Sequence, residues 1–529
     1  MTIPAKIDTT NLLTILGVIA AVWAIITPTS RLRFRFCMAW WDLLIIGLIF
    51  ILANYLVFAP ALRQIGLYYS FGPWIWGLDS SSAVYLLFLL AASYLFLRLK
   101  SPTFVRGKIT LFLELIESLH LTKKYDELVL LVGPQLDEII SLAKGNPPLI
   151  VQWIDKLYGG SERNALMNGE EPKEPNFLTK GLYSLLNPLR EKLLSNYEAS
   201  EKAREVLLNI LTSPDLTRYL SLAYPHFCLR LIGADEVVRS DFIDRLMDSL
   251  LDSPGSRLYV ELKNNQNTCT GGRLAIPETN RLLHFFFADS VYASKSGIYR
   301  AIGEAVCWRL DEDSKLSEIL NKPLGSYLEK KRFSCPINSG ITMFEVMVHQ
   351  GIHQRLQDHL WLHYFKHFAE KILYQMKVQS VDAIAEYQTP YHYLLCRLFS
   401  IAIDWAEQSS YIKTHNNVAG DNRYISKEAT KVLGSMLEHI IPSLKLKGYS
   451  KVSILQMVVT CYTRLEERQI NDVGEALLIH ATMGEFNSTS LTYRRKLLSI
   501  FKRMDPYLQG NAKKFREKIE LAVQIKLHR

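Results

Sequence analysis

Three long apolar runs lie within the first hundred residues of the chain, at 12–27, 43–59 and 83–97. A helix in the core of a soluble protein carries polar residues along one face, whereas these runs hold only isolated polar positions. With their flanking small and aromatic residues, each run approaches the roughly 20 residues that cross a bilayer. The pattern predicts a membrane anchor over residues 1–102, built as a bundle of three transmembrane helices.

Beyond Phe104 the apolar residues recur at helical spacing, as in the segment 109–121. Ser213 followed by Pro214 is a typical helix start, with a capping hydroxyl before a proline in the first turn. Only the segment 257–265 reads as a possible short strand, and no βαβ rhythm follows it. We therefore predict a mainly α chain, in which the three-helix anchor precedes a large, irregular or solenoid-like α-helical cytoplasmic region. No fixed repeat period is found in that region, so both forms of it stay open.

Changes in composition divide the part of the chain after the anchor. Residues 158–177 are rich in Gly, Asn, Glu and Pro, and 161–177 within this segment are predicted to form a linker. The linker separates a juxtamembrane helical unit, 103–160, from a main helical domain, 178–490. The last segment, 491–529, is predicted to be a basic amphipathic helical tail.

The formal net charge of +9 is concentrated at the two ends of the chain. Arg31, Arg33 and Arg35 lie between the first two apolar runs, and Arg98 and Lys100 follow the third. Basic residues favour the cytoplasmic side of a membrane, so the N-terminus is predicted to be outside and the bulk of the chain cytoplasmic, at an inner or plasma membrane. The three loop arginines are predicted to contact the anionic leaflet, either simply to set the orientation or to recognise a lipid or partner.

Seven cysteines are scattered through the chain without a CxxC pair. An odd, dispersed set of cysteines in a large protein indicates free thiols in a reducing compartment, not a disulfide framework. The zinc sites that are built from closely spaced cysteine pairs are also excluded.

Five histidines fall within nineteen residues: His349, His353, His359, His363 and His367. On one continuous helix they would share a face, and the last three would form a row at spacing i, i+4, i+8. Such a row can share a divalent metal, so we name His359, His363 and His367 as candidate ligands. The segment has no HExxH motif, and aromatic residues alternate with the histidines. Structural or pH-sensitive histidines are the favoured alternative.

The tail carries a dense set of basic residues. Seven of them are candidates for binding a membrane surface or another anion: Arg494, Arg495, Lys496, Lys502, Arg503, Lys513 and Lys514. The alternative is an ordinary solvated helix face. Nucleic acid is not favoured as a partner, because few aromatic residues are interleaved for base stacking.

These patterns predict a membrane-anchored helical interaction protein, a scaffold, receptor or effector component that presents a partner-binding domain at the inner face of the membrane. Its predicted partners are the lipid bilayer, anionic lipid head groups, and a protein partner or further copies of itself. By analogy of architecture, a stress or antiviral defence pathway fits this layout. The alternatives are a metal-dependent enzyme that uses the His349–His367 cluster, and an oligomeric membrane-permeabilising effector. Phosphate-binding and nucleophile-elbow motifs are absent, so no catalytic residue or organic cofactor is predicted and an enzyme is less favoured.

Overall fold

A computed structural model gives the fold of two compact units, Met1–Ile210 and Leu211–Arg529. The structure describes residues 36–67, 80–100, 108–145, 198–233, 236–266, 276–356, 359–378, 387–410, 424–485 and 488–524, together with positions 32, 34 and 186. The predicted linker at 161–177 and the first apolar run at 12–27 lie outside these residues.

Helices make up the first unit. They are α1 Trp40–Val57, α2 Ala59–Gln64, α3 Ser80–Lys100, α4 Ile109–Leu121, α5 Tyr125–Val132, α6 Leu136–Ala143 and α7, residues 198–212, which contains the boundary between the units. No strand occurs among the described residues of either unit, so the predicted mainly α class is confirmed.

Two groups of helices form the packing of the first unit. α1 packs along α3, and α4 packs on α5. The predicted helical spacing of the segment 109–121 is confirmed, because its apolar side chains are buried on one face of α4. α7 closes on this group through polar contacts: Lys202 Nζ donates to Thr110 Oγ1 at 2.9 Å, and Arg204 Nε donates to the Ala143 carbonyl at 2.7 Å. The Ala143 carbonyl lies at the C-terminus of α6, where the last carbonyls have no amide partner within the helix, so Arg204 supplies the missing donor.

The second unit is also built from helices. They are α8 Pro214–Ala223, α9 Pro225–Leu231, α10 Glu236–Asp252, α11 Arg257–Gln266, α12 Arg281–Phe287, α13 Ser290–Lys295, α14 Ile298–Glu312, α15 Ser314–Leu320, α16 Pro336–His353, α17 His363–Gln375, α18 Pro390–Ser409, α19 Tyr424–Ile440, α20 Gly448–Glu467, α21 Asn471–Met483, α22 Leu491–Phe501, α23 Pro506–Asn511 and α24 Lys513–Gln524. The predicted start after Ser213 is confirmed, since its hydroxyl accepts a hydrogen bond from the Leu216 amide at 3.4 Å.

The longer helices of this unit form two rows. In the first row, α8, α10, α14, α17, α19, α21 and α24 pack each on the next. In the second row, α11, α16, α18, α20 and α22 do the same. Helices of one row pack on their chain neighbours in the other, so the unit grows by successive helix pairs. Each pair buries its apolar face between the pairs before and after it.

The predicted strand at 257–265 is wrong, because this segment lies in α11. Leu258, Tyr259 and Leu262 are buried on one side at helical spacing. The fully buried Glu261 accepts hydrogen bonds from the Leu282 amide at 2.9 Å and the Leu283 amide at 3.1 Å. It thus caps the N-terminus of α12. This contact between residues that are distant in the sequence fixes α11 as a helix, and the local pattern of residues does not predict it.

Candidate functional sites

One described helix is long and apolar enough to cross a membrane, and it is α1. Only 17% of its apolar window is buried within the chain, whereas the core helix of a soluble protein is mostly buried. Leu48 is 59% exposed and Ile51 is 66% exposed. The chain thus leaves more than half of each side chain uncovered, a property that a lipid-facing helix would show.

The predicted bundle of three spans reduces to this single strong candidate in the described structure. In α3 the apolar part, Ala83–Arg98, is shorter than a full span. It is flanked by serines at its start and ends at a charged residue, which limits its apolar length. The first predicted span, 12–27, and the loop residues Arg31, Arg33 and Arg35 lie outside the described residues.

A buried carboxylate joins α1 to α3. The side chain of Asp42, in the first turn of α1, accepts hydrogen bonds from Tyr94 Oη at 2.5 Å and Arg98 Nε at 3.0 Å. It also accepts one from the Ala39 amide at 2.6 Å, which caps α1. Asp42 is 3% exposed, so its charge is balanced by Arg98 within the protein. The contact places the start of α1 beside the end of α3.

The histidine segment does not form one helix. α16 ends at His353, and Arg355 adopts a left-handed conformation with a φ of 57°. The Leu356 amide donates to the Gly351 carbonyl at 2.9 Å, which is the pattern of a Schellman cap. α17 then begins at His363. The continuous helix that the sequence predicts is therefore wrong, and the single histidine face does not exist.

His359 lies in a buried aromatic cluster. Its ring centre is 5.1 Å from that of Trp361 and 4.4 Å from that of Trp405. Gly351 of α16 lies against the same ring, since a Cβ there would be 3.4 Å from His359 Cε1, an ordinary van der Waals contact. Nε2 of His359 donates to the Leu356 carbonyl at 2.5 Å. Burial lowers the pKa of His359 to about 4, so the ring is neutral near pH 7 and acts as a packing group.

The other predicted metal ligands are not gathered around His359. His363 and His367 are exposed on α17, and His349 is buried on α16. Within the described part of the chain, no group of three or more His, Cys, Asp or Glu side chains could hold a metal ion. The described residues therefore do not support the alternative of a metal-dependent enzyme that uses the His349–His367 cluster.

The basic tail folds as α22 to α24, and its predicted anion-binding residues have different roles. Arg494 is 1% exposed and holds the chain end, since Nη1 donates to the Ala522 carbonyl at 3.0 Å and Nε to Thr489 Oγ1 at 3.0 Å. It is thus a structural residue and cannot reach a surface ligand. Lys514 pairs with Glu466 at 2.8 Å. The side chains of Arg495, Lys502, Arg503, Lys513 and Lys514 itself are exposed to solvent.

Three lysines that the tail prediction missed lie near the start of α20: Lys445, Lys447 and Lys451. Lys496 of α22 approaches the same region, because its Nζ donates to the Pro442 carbonyl at 3.2 Å. Burial and the neighbouring charge of Lys496 lower the pKa of Lys451. The run of lysines at 445–451 is visible in the sequence, whereas its meeting with α22 depends on the packing of distant helices.

An ionic network links α16, α18 and α20. Arg397 of α18 pairs with Glu345 of α16 at 2.5 Å, and Glu407 of α18 pairs with Arg464 of α20 at 3.4 Å. Between them, burial and the nearby charges of Glu407 and Glu345 raise the pKa of Asp404 to about 6. These groups lie where consecutive pairs of the second row meet, so they fix the register of the helices.

No family model matches this chain. No curated protein and no solved structure matches it either. The features of the chain that bear on its function are therefore α1, the two rows of helices and the basic residues.

Proposed function

We propose that this chain is a membrane-anchored interaction protein, a scaffold, receptor or effector component, that presents a helical partner-binding module at the inner face of a membrane. The exposed apolar surface of α1 is the observation that carries the proposal. Burying one leucine or isoleucine side chain contributes about 2 kcal/mol, so a helix with many exposed ones is stable only where lipid or protein covers it. A bilayer covers all faces of such a helix at once.

The proposed orientation places the start of α1 and the end of α3 on the cytoplasmic side. Arg98 and Lys100 follow the apolar part of α3, and three arginines precede α1 in the sequence. The ion pair of Arg98 with Asp42 supports this arrangement, because it brings the two charged ends together. The N-terminus is then outside, and the second unit is cytoplasmic.

The second unit is proposed to be the partner-binding module. Its two rows of helices support the solenoid-like alternative for the cytoplasmic region, and such arrays present long continuous surfaces for other proteins. The described residues contain neither a metal-ligand group nor a motif of nucleophilic catalysis, so interaction is better supported than chemistry. The proposed partner is another protein or a second copy of the chain.

Co-purification of the full chain tests the interaction claim. The intact protein would be expressed at its native level, extracted in detergent, washed with salt and analysed by mass spectrometry and light scattering. We expect either a reproducible protein partner in fixed ratio or a discrete oligomer of the chain. A preparation that contains only a monomer of this chain would contradict the proposal.

A further inference from the structure

The loop between α19 and α20 is held by lysines from two helices. Lys451 of α20 donates from Nζ to the Ile441 carbonyl at 2.9 Å and also to the Ser443 carbonyl. Lys496 of α22 donates to the Pro442 carbonyl at 3.2 Å. These carbonyls follow the end of α19, where a helix leaves its last acceptors unbonded and carries a partial negative charge. Two cations are thus fixed beside this loop.

More positive charge lies next to the same loop. A Cβ on Gly448, at the start of α20, would lie 3.2 Å from Arg503 Nη1, so Arg503 borders the loop, and Lys502 precedes it. The sequence has no Asp or Glu between Glu438 and Glu466, or between Glu485 and Asp505. We define the basic surface as Lys445, Lys447, Lys451, Lys496, Lys502 and Arg503.

Exposed apolar and aromatic side chains border the basic surface. Leu444 is 84% exposed, the highest value for a large hydrophobic side chain in the described part of the chain. Tyr374 is 76% exposed, and the ammonium of Lys445 lies 5.4 Å from the centre of its ring. Tyr507, in α23, is 79% exposed and follows Arg503 by four residues. Helix α23 packs on α20, which keeps Tyr507 near the loop.

This combination fits an anionic lipid leaflet. Lysine and arginine near such a surface are attracted to lipid phosphates, while tyrosine and leucine enter the head-group region. A nucleic acid would also attract the charges, but a protruding leucine cannot stack on a base, whereas it gains free energy in the interface of a bilayer.

We propose that the basic surface docks the second unit onto an anionic leaflet, with Leu444 and Tyr507 entering the head-group region and the lysines and Arg503 contacting phosphates. This inference deepens the proposed function and rests on it for the presence of the membrane. It keeps Lys496, Lys502 and Arg503 of the predicted tail site, leaves out the buried Arg494, and adds lysines from the α19–α20 loop and the start of α20.

Hydrogen exchange of the full chain in lipid nanodiscs tests the docking. The discs would contain phosphatidylcholine alone or phosphatidylcholine mixed with phosphatidylserine. We expect slower exchange of the backbone amides in 443–451 and 502–509 only with phosphatidylserine, and loss of this protection at high salt. Equal exchange in the two kinds of disc would overturn the proposal.

Substitutions of charged side chains give the matched comparison. In the triple variant Lys445→Gln, Lys502→Gln, Arg503→Gln, we expect the lipid-dependent protection ratio to fall about fivefold per removed charge until none remains, because each basic residue contributes about 1 kcal/mol near an anionic leaflet. Leu444→Ser with Tyr507→Ser should also reduce it. The control removes three exposed lysines elsewhere, Lys315→Gln, Lys322→Gln and Lys330→Gln, and should retain it. Equal loss in the control would overturn the site.

The two proposals fail in different ways. If the chain inserts into the discs but phosphatidylserine protects nothing, the docking surface is wrong and the anchor is not. If the chain does not insert yet sediments with phosphatidylserine vesicles through these residues, the anchor is wrong and the surface is supported. If RNA or DNA protects the same amides and phosphatidylserine does not, the docking proposal is overturned in favour of a nucleic acid.

Discussion

Arg98 donates from Nε to Oδ2 of Asp42 over 3.0 Å, and this ion pair joins the charged ends of the two long apolar helices, α1 and α3. The side chain of Asp42 is only 4% exposed, so its charge depends on the partners that the protein provides. Two apolar helices can slide and rotate against each other at little cost. A buried ion pair gives them one register, since any other register leaves a charge without a partner.

Removing Arg98 should therefore loosen α3 on α1. We expect Arg98→Gln to cost about 3 kcal/mol in local stability, which is about a hundredfold faster amide exchange in α3. The double variant Arg98→Gln, Asp42→Asn should recover most of this local stability, because it no longer contains an unbalanced carboxylate. Hydrogen exchange of the detergent-solubilised chain measures both effects. Arg63→Gln, at an exposed arginine of α2, is the control, and an equal effect there would refute the role of the pair.

Adjacent arginines in the tail should differ sharply. Arg494→Ala leaves the Ala522 carbonyl and Thr489 without their buried donor, so we expect a loss of about 3 kcal/mol in the free energy of unfolding. Arg495→Ala, one residue further on at an exposed position, should change it by less than about 0.5 kcal/mol. Urea unfolding of the two variants makes the comparison. Similar losses would show that Arg494 does not hold the chain end.

Two glycines should respond to alanine with opposite signs. A Cβ on Gly434 of α19 would lie 2.5 Å from the backbone oxygen of His480 in α21, and that backbone cannot move away without separating the two helices. We expect Gly434→Ala to destabilise the chain by about 2 kcal/mol. Gly510 in α23 has open space, so Gly510→Ala should stabilise it by about 0.5 kcal/mol through helix propensity. Thermal unfolding measures both, and a neutral Gly434→Ala would contradict the close crossing.

The buried His359 should make the fold sensitive to acid. Its pKa is about 4 in the folded chain and near 6.5 when unfolded, so below pH 6.5 the unfolded state binds more protons. The contribution of His359 to the free energy of unfolding is fully present above pH 6.5. It falls by about 3 kcal/mol as the pH decreases towards 4. His359→Phe should flatten the pH dependence of the urea midpoint over this range. His363→Phe, at an exposed position, should leave it unchanged. Identical pH profiles for wild type and His359→Phe would disprove the effect.

Local patterns predicted the features that depend on nearby residues. The spacing of apolar residues gave the helical class and the buried face of α4, and the sequence around Ser213 gave the start of α8. The apolar run at 43–59 corresponds to α1. In each of these cases, a few residues along the chain decide the structure.

Other features depended on distant residues, so local patterns could not predict them. Glu261 favours a helix because it caps α12, some twenty residues later. The histidine row fails because Arg355, which is not a glycine, adopts the left-handed cap that ends α16. Arginine is a residue type usually found at the surface. Arg494 is buried because the C-terminus of α24 packs against α22. Lys445 and Arg503 of the basic surface, and Tyr374 at its border, come from segments of the second unit that are far apart in the sequence.

Labelling of one introduced cysteine tests whether α1 inserts into a bilayer. Ile51 is 66% exposed within the chain, so the chain itself leaves Ile51→Cys open to a membrane-impermeant maleimide, whereas a surrounding bilayer would shield it. Leu121→Cys, 81% exposed and outside the apolar runs, is the control. In opened membranes, we expect Leu121→Cys to react above the wild-type background and Ile51→Cys to react only after denaturation. If Ile51→Cys reacts as fast as Leu121→Cys in the native membranes, α1 does not cross the bilayer and the account is wrong.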